Sequence, residues 1–366
     1  MTEGIAVQPR SKRYLVWIVV AIVVAALLFW LHKRVSFDWH TLGQQLRSVS
    51  LVYVLGGVAV IYFAFWLRAV RWAILLSPVR RVSSTKLIAS QLIGFTAVAL
   101  IGRIADLSRP YLIARKLKLP VASQLAVYSI ERAFDLGAAA ILFSTTLAFA
   151  PHDLPHHAAY VHAGELSLAA TAAIAIFAVA LRLAGEVVAR VIRAMLSPLS
   201  KEFAAKVSER ILDFRGGLRT VSSLRQFMAT LAVSLLMWGG IAVCYLFSAR
   251  AFTADPTLAH ISFTAIMLIL ATSMGGSLLQ LPILGWFTQI AINAAALHEF
   301  FNVPLETATA CSTVMLVLTM LVIIPAGLIA AKVEGTSLRD AVKESNEPGL
   351  EADSAKQATA RACLRG

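Results

Sequence analysis

Charge is scarce in this chain. Asp, Glu, Lys and Arg make up 14% of its 366 residues, while 58% are hydrophobic, and soluble domains carry roughly 25% charged residues. With a mean hydropathy of +0.75, the chain lies outside the range of soluble domains and reads as an integral membrane protein. Short strands of strict period-2 alternation are missing as well, which argues against an outer-membrane barrel. Cysteine is rare: Cys244, Cys311 and Cys363 are too scattered for a disulfide framework or a thiolate metal site. A nucleophile elbow, a Walker loop, a dinucleotide fingerprint and an HExxH motif are all absent, so no catalytic role and no cofactor are expected.

What charge there is has a sign and a place. The formal net charge is +13, with Lys and Arg gathered in connections beside apolar runs, where they orient a membrane protein and meet anionic headgroups. Nucleic acid is therefore not an expected partner. The exception is the stretch Ile101 to Asp135, which sets at least ten ionisable side chains between apolar segments. A charged side chain at the centre of a span costs roughly 2.5 to 3.5 kcal/mol by insertion scales. That cost marks the stretch as a functional candidate.

The expected architecture is an all-α polytopic membrane protein with about six full transmembrane helices and two re-entrant or broken hairpins. Residues 1–13 read as a cytoplasmic lead, 14–331 as the transmembrane domain and 332–366 as a polar, disordered tail. Full crossings are expected at Tyr14–Leu31, Leu51–Leu76, Ala122–Phe149, Leu166–Leu181, Phe227–Ala249 and from Pro304 to about Ala331. The first run resembles a signal peptide but lacks a small-x-small cleavage site after it, so a retained anchor is expected. The connection His32 to Ser50 reads as amphipathic. Leu87–Ile101 has about 15 residues, short for a crossing. Ile261–Leu281 and Trp286–Phe301 flank a Pro–Gly break from Pro282 to Gly285.

Basic connections fix the orientation. The amino terminus, Arg80 to Lys86, Arg103 to Lys118, the nine Lys and Arg between Arg182 and Arg225, and the tail are expected on the cytoplasmic side of a bacterial inner membrane. Because basic connections flank Leu87–Ile101 on both sides, that segment should enter and leave on one face. Ile261–Phe301 should do the same from the other. Gly102 precedes Pro120 by 18 residues and Gly285 precedes Pro304 by 19, so the two regions read as an inverted pair. Broken helices at matching positions of inverted halves point to a midplane substrate site.

Within the charged stretch, Arg103, Asp106 and Arg109 recur every three residues, along one helical face. Arginine's planar fork suits phosphate, with Asp106 orienting the cations. Arg68 and Arg71 share a face near the membrane boundary, where snorkelling arginines are the simplest reading. Glu131 and Asp135 lie at i, i+4, and carboxylates that close need partners. Arg132 or an arginine of the Arg103 to Arg109 segment is expected to supply them. The outer loop holds His152, Asp153, His156, His157 and His162 among prolines, and a solvated loop is favoured there over a metal site.

At LRAVRWAILL, GRIADLSRPYLIARK with SIERAFDL, and QLPILGWFTQIAI followed by VPLETATA, the chain resembles the lysylphosphatidylglycerol synthase transmembrane-region, or flippase-like, family. The resemblance runs from about Tyr14 to Ala331. Ala105 and Asp106 replace that family's Gly-Glu pair, Ile283 and Leu284 replace two glycines, and Gln289 stands near a Glu position. The resemblance implies a domain that handles envelope lipids, in its best-known members by moving aminoacylated phosphatidylglycerol between leaflets. The tail is too short for their synthase domain, so lipid aminoacylation is not expected. The expected function is translocation of a phosphate-bearing lipid. Its headgroup set is Arg68, Arg71, Arg103, Asp106, Arg109, Glu131, Arg132, Asp135 and Gln289, with structural breaks at Gly102, Pro282 and Gly285. The alternative is a non-transporting partner of a lipid- or glycan-modifying enzyme, docked through Arg182 to Arg225.

Overall fold

The computed structural model describes residues 38–149, 157–197, 223–276 and 284–336, and the described residues contain helices and no strands. The anchor at Tyr14–Leu31, Pro282 and the tail beyond 336 lie outside them. Twelve α-helices are described: α1 Trp39–Arg47, α2 Leu51–Leu76, α3 Ser84–Ile101, α4 Ser108–Leu117, α5 Val121–Ala148, α6 His157–Leu196, α7 Leu224–Arg250, α8 Pro256–Ala259, α9 Phe263–Gly276, α10 Leu284–Phe301, α11 Leu305–Leu316 and α12 Ile323–Val333. A 3-10 turn, Arg103–Leu107, joins α3 to α4, and a π-helical turn, Val317–Leu321, joins α11 to α12.

Among the described residues, four helical stretches are long and apolar enough to cross a membrane: α2, α3, α7 and the continuous run Leu305–Val333. The protein is thus an integral membrane protein of helical class. Capping explains several of the starts. Asp38 accepts the His40 N–H at 2.8 Å to open α1, and Ser223 accepts the Gln226 N–H at 3.1 Å to open α7. The Thr41 hydroxyl and the His40 N–H also hold the exposed Asp38 carboxyl below the usual carboxylate range. Pro325 cannot donate to the helical ladder, and the π turn lies just before it.

The helix expected over Leu87–Ile101 starts earlier, because Ser83 caps it at Ser84. It therefore has 18 residues and about 27 Å of rise, enough for most of the hydrocarbon thickness. Its end is set by Gly102, whose φ of 90° and ψ of −171° suit glycine alone. After the 3-10 turn the chain runs back along α3. Arg109 on α4 packs on Gly94, Leu117 shares a cluster with Leu87, and Arg80 donates to the Leu117 carbonyl at 2.7 Å. The pair α3/α4 thus starts and finishes at one end of the bundle. Lys118, with φ 52°, closes α4, and Pro120 opens α5 at that same end.

A second reversal starts from the opposite end, where Ser50 N–H donates to the Ala251 carbonyl at 2.9 Å and Arg250 to the Ile261 carbonyl at 3.2 Å. From there α9 runs inward, and α10 returns to Asn302, again at φ 52°, and to Pro304, which opens α11. The two folded pairs meet: the Trp286 indole N–H donates to the Ala99 carbonyl at 3.0 Å. Gly285 lies in the first turn of α10, so it does not break the helix as expected. Of the histidines expected in an outer loop, His157 and His162 lie on α6, while His152, Asp153 and His156 lie outside the described residues.

Packing is close where small residues permit it. A Cβ at Gly327 of α12 would overlap Thr96 and the Leu92 carbonyl of α3. Gly327→Ala is therefore expected to lower stability by about 1 to 3 kcal/mol through overpacking. Thermal unfolding in detergent would measure it.

Candidate functional site

The bundle axis positions the site. The carboxy-terminal end of α2 and the starts of α3, α5 and α7 lie at the basic end of the molecule. From that end, Arg71 is five residues in along α2, Gln91 seven along α3, Glu131 ten along α5 and Ser234 ten along α7. At 1.5 Å per residue all four lie about 8 to 15 Å deep, near the middle of a hydrocarbon layer of about 30 Å.

There they form one ion network. Arg71 is fully buried and bridges two carboxylates: Nη2 donates to Glu131 Oε1 at 2.5 Å and Nη1 to Asp135 Oδ1 at 2.6 Å. Nη1 also donates to the Ser234 hydroxyl at 3.0 Å. Arg109, equally buried, reaches the network from α4. Its Nη1 donates to Glu131 Oε1 at 3.3 Å and to Gln91 Oε1 at 3.3 Å, while Nη2 donates to Asp106 Oδ1 at 2.9 Å. The Tyr128 hydroxyl holds the other Asp106 oxygen at 2.5 Å. On α5, Arg132 donates to Asp135 Oδ2 at 2.9 Å, with its side chain 37% exposed. The Trp238 indole N–H completes Asp135 at 3.2 Å.

Arg68 is different. It is half-buried, its guanidinium lies 4.6 Å from the centre of the Phe95 ring, and among the described residues it has no carboxylate within salt-bridge distance. Arg109 covers the same ring at 4.3 Å. A cation over an aromatic face in a desolvated setting is stabilised by about 2 kcal/mol. In this cluster four arginines, Arg68, Arg71, Arg109 and Arg132, face three carboxylates, Asp106, Glu131 and Asp135. One positive charge is left over.

Three expectations change. Arg71 does not snorkel: it is the central cation, and it supplies the partner that Glu131 and Asp135 need alongside Arg109 and Arg132. Arg103, expected on one helical face with Asp106 and Arg109, lies in the 3-10 turn Arg103–Leu107 ahead of α4. Arg103 is exposed, while Asp106 and Arg109 pair. Gln289 belongs to another cluster. Its Nε2 donates to Ser273 Oγ at 3.2 Å and to the Tyr245 hydroxyl at 3.4 Å. Tyr245 and Ser273 are bonded at 2.8 Å, and Asn293 is buried one turn along from Gln289 on α10. This uncharged group of α7, α9 and α10 went unnoticed in the sequence. Gln289 and Asn293 at i, i+4 in an apolar helix were the available signal.

Ionisable side chains clustered at mid-depth of a helical membrane bundle mark a candidate functional site. The family description "lysylphosphatidylglycerol synthase TM region" matches residues 16–327, and the chain belongs to that family. No curated protein matches it. Family and architecture together fit a membrane protein concerned with lipids.

Proposed function

We propose that the chain moves a lipid with a phosphate-bearing headgroup between the leaflets of a bacterial inner membrane, with the basic end of the bundle cytoplasmic. The observation that carries this reading is the surplus cation, Arg68, only partly buried beside a buried and otherwise balanced network. A headgroup crossing hydrocarbon needs polar partners throughout. Arg68 and the exposed edge of Arg132 offer them to a phosphate, while Glu131 and Asp135 keep the remaining cations in place. The two folded pairs, α3/α4 and α9/α10, act as an inverted pair whose tips meet beside the site. In that arrangement the buried turn at Gly102 faces protein rather than lipid tails.

Arg68→Ala tests this without unpairing a carboxylate. In proteoliposomes holding a labelled phosphatidylglycerol analogue, leaflet-resolved quenching should find translocation lowered about tenfold or more, the scale of one lost charge-assisted contact. Equal rates for wild type and variant contradict the headgroup assignment. Absence of movement by the wild type turns attention to the docking role for Arg182 to Arg225.

A further inference from the structure

A second polar place lies at the basic end, outside the ion network. A pocket of about 580 Å³ opens between the end of α2 and the starts of α3 and α7. Arg81 and Arg225 flank it, with Ser77, Ser84, Ser223 and Gln226 between them. Among the described residues its lining carries no acidic side chain, and neither arginine has a carboxylate partner. Two helices, of 18 and 27 residues, begin at this pocket, so the positive ends of two helix dipoles face it. The carbonyl end of α2 faces it too, but two of its acceptors are engaged: Ile74 by Gln226 and Ser77, Leu76 by Val79 and Arg80. The other wall is apolar, formed by Val70, Ala73, Ile74, Val82 and Ala229.

A phosphate monoester or diester meets both demands of such a site. Two guanidinium forks and two helix starts neutralise it, while the apolar wall takes the glycerol or acyl side. From this pocket we infer a binding site for a phosphate-bearing headgroup at the basic face, a loading site for the translocation proposed above, on which its role rests. A polar line leads inward from it. Gln226, Thr230 and Ser234 recur every four residues on α7, all buried, and Ser234 accepts from Arg71. From pocket to network is eight residues, about 12 Å along α7.

The test separates this site from the translocation reading. Purified full-length protein in a neutral detergent is titrated with dihexanoyl phosphatidylglycerol, glycerol 3-phosphate and inorganic phosphate, with calorimetric readout. The variants are Arg81→Ala with Arg225→Ala, and the same pair changed to Lys. Both pocket arginines are exposed, so unfolding temperatures should match wild type. Expected is a loss of binding of about tenfold or more in the double Ala variant, with partial retention in the Lys pair. Tighter binding of the short-chain lipid than of the two soluble phosphates assigns the site to a lipid. Equal binding of all three assigns it to phosphate in solution, and supports the pocket while removing its loading role. Unchanged binding in the double Ala variant, or no binding of any probe by wild type, overturns the inference. Pocket-dependent binding without lipid movement by wild type would sink the translocase reading and leave the pocket standing.

Discussion

Replacing Arg71 with alanine is expected to destabilise the protein by about 3 to 5 kcal/mol, the cost of leaving buried charges without their partner. Arg71 joins Glu131 and Asp135 through separate nitrogens at 2.5 and 2.6 Å and is itself inaccessible. No neighbour can take its place fully. Arg109 meets Glu131 at 3.3 Å but is held by Asp106 and Gln91, and Arg132 reaches the pair from a partly exposed position. Chemical unfolding in detergent would measure the loss. Arg71→Lys should retain part of the stability, because a single ammonium cannot reproduce the two-armed fork. Equal stability for Arg71→Ala and wild type would mean the network contributes nothing to the fold.

Glu131→Gln is expected to have the largest effect on translocation, about tenfold or more. Glu131 is the common acceptor of Arg71, Arg109 and Arg132. Removing its charge leaves two uncompensated cations in the cluster rather than one, in a setting where each is costly. The freed guanidinium groups would hold a headgroup phosphate more tightly and release it more slowly. Asp106→Asn should do less, since that side chain is 22% exposed and also held by Tyr128. The leaflet assay on both variants, with unfolding measured in parallel, separates a transport defect from a folding defect. A Glu131→Gln variant that folds and moves lipid at the wild-type rate would contradict the role given to the network.

Much of the site was legible in the sequence because hydrocarbon makes charge conspicuous. Glu131, Asp135 and Arg109 stand out in apolar surroundings, and the need of two close carboxylates for a cation follows from Coulomb's law alone. That the cation is Arg71 was not legible. The pairing joins residues 60 positions apart, and a lone arginine near a helix end reads equally well as a snorkelling one. The fold-back was foreshadowed by the basic connections on both sides of α3 and by Gly102. The helix start was not, because Ser83 as a cap adds a turn that hydropathy does not register. The uncharged cluster around Tyr245, Ser273, Gln289 and Asn293 stayed hidden for a related reason. Single hydroxyls and amides barely change the hydropathy of an apolar helix.

The most direct test of the central claim is a comparison of two headgroups under one assay. Wild-type protein is placed in liposomes containing either a labelled phosphatidylglycerol analogue or a labelled glycolipid of the same chain length without phosphate, and leaflet exposure is followed by external quenching. The account predicts that the phosphate-bearing lipid is moved and the phosphate-free one is left where it was. Equal movement of both lipids, or none of the phosphate-bearing one, would contradict it.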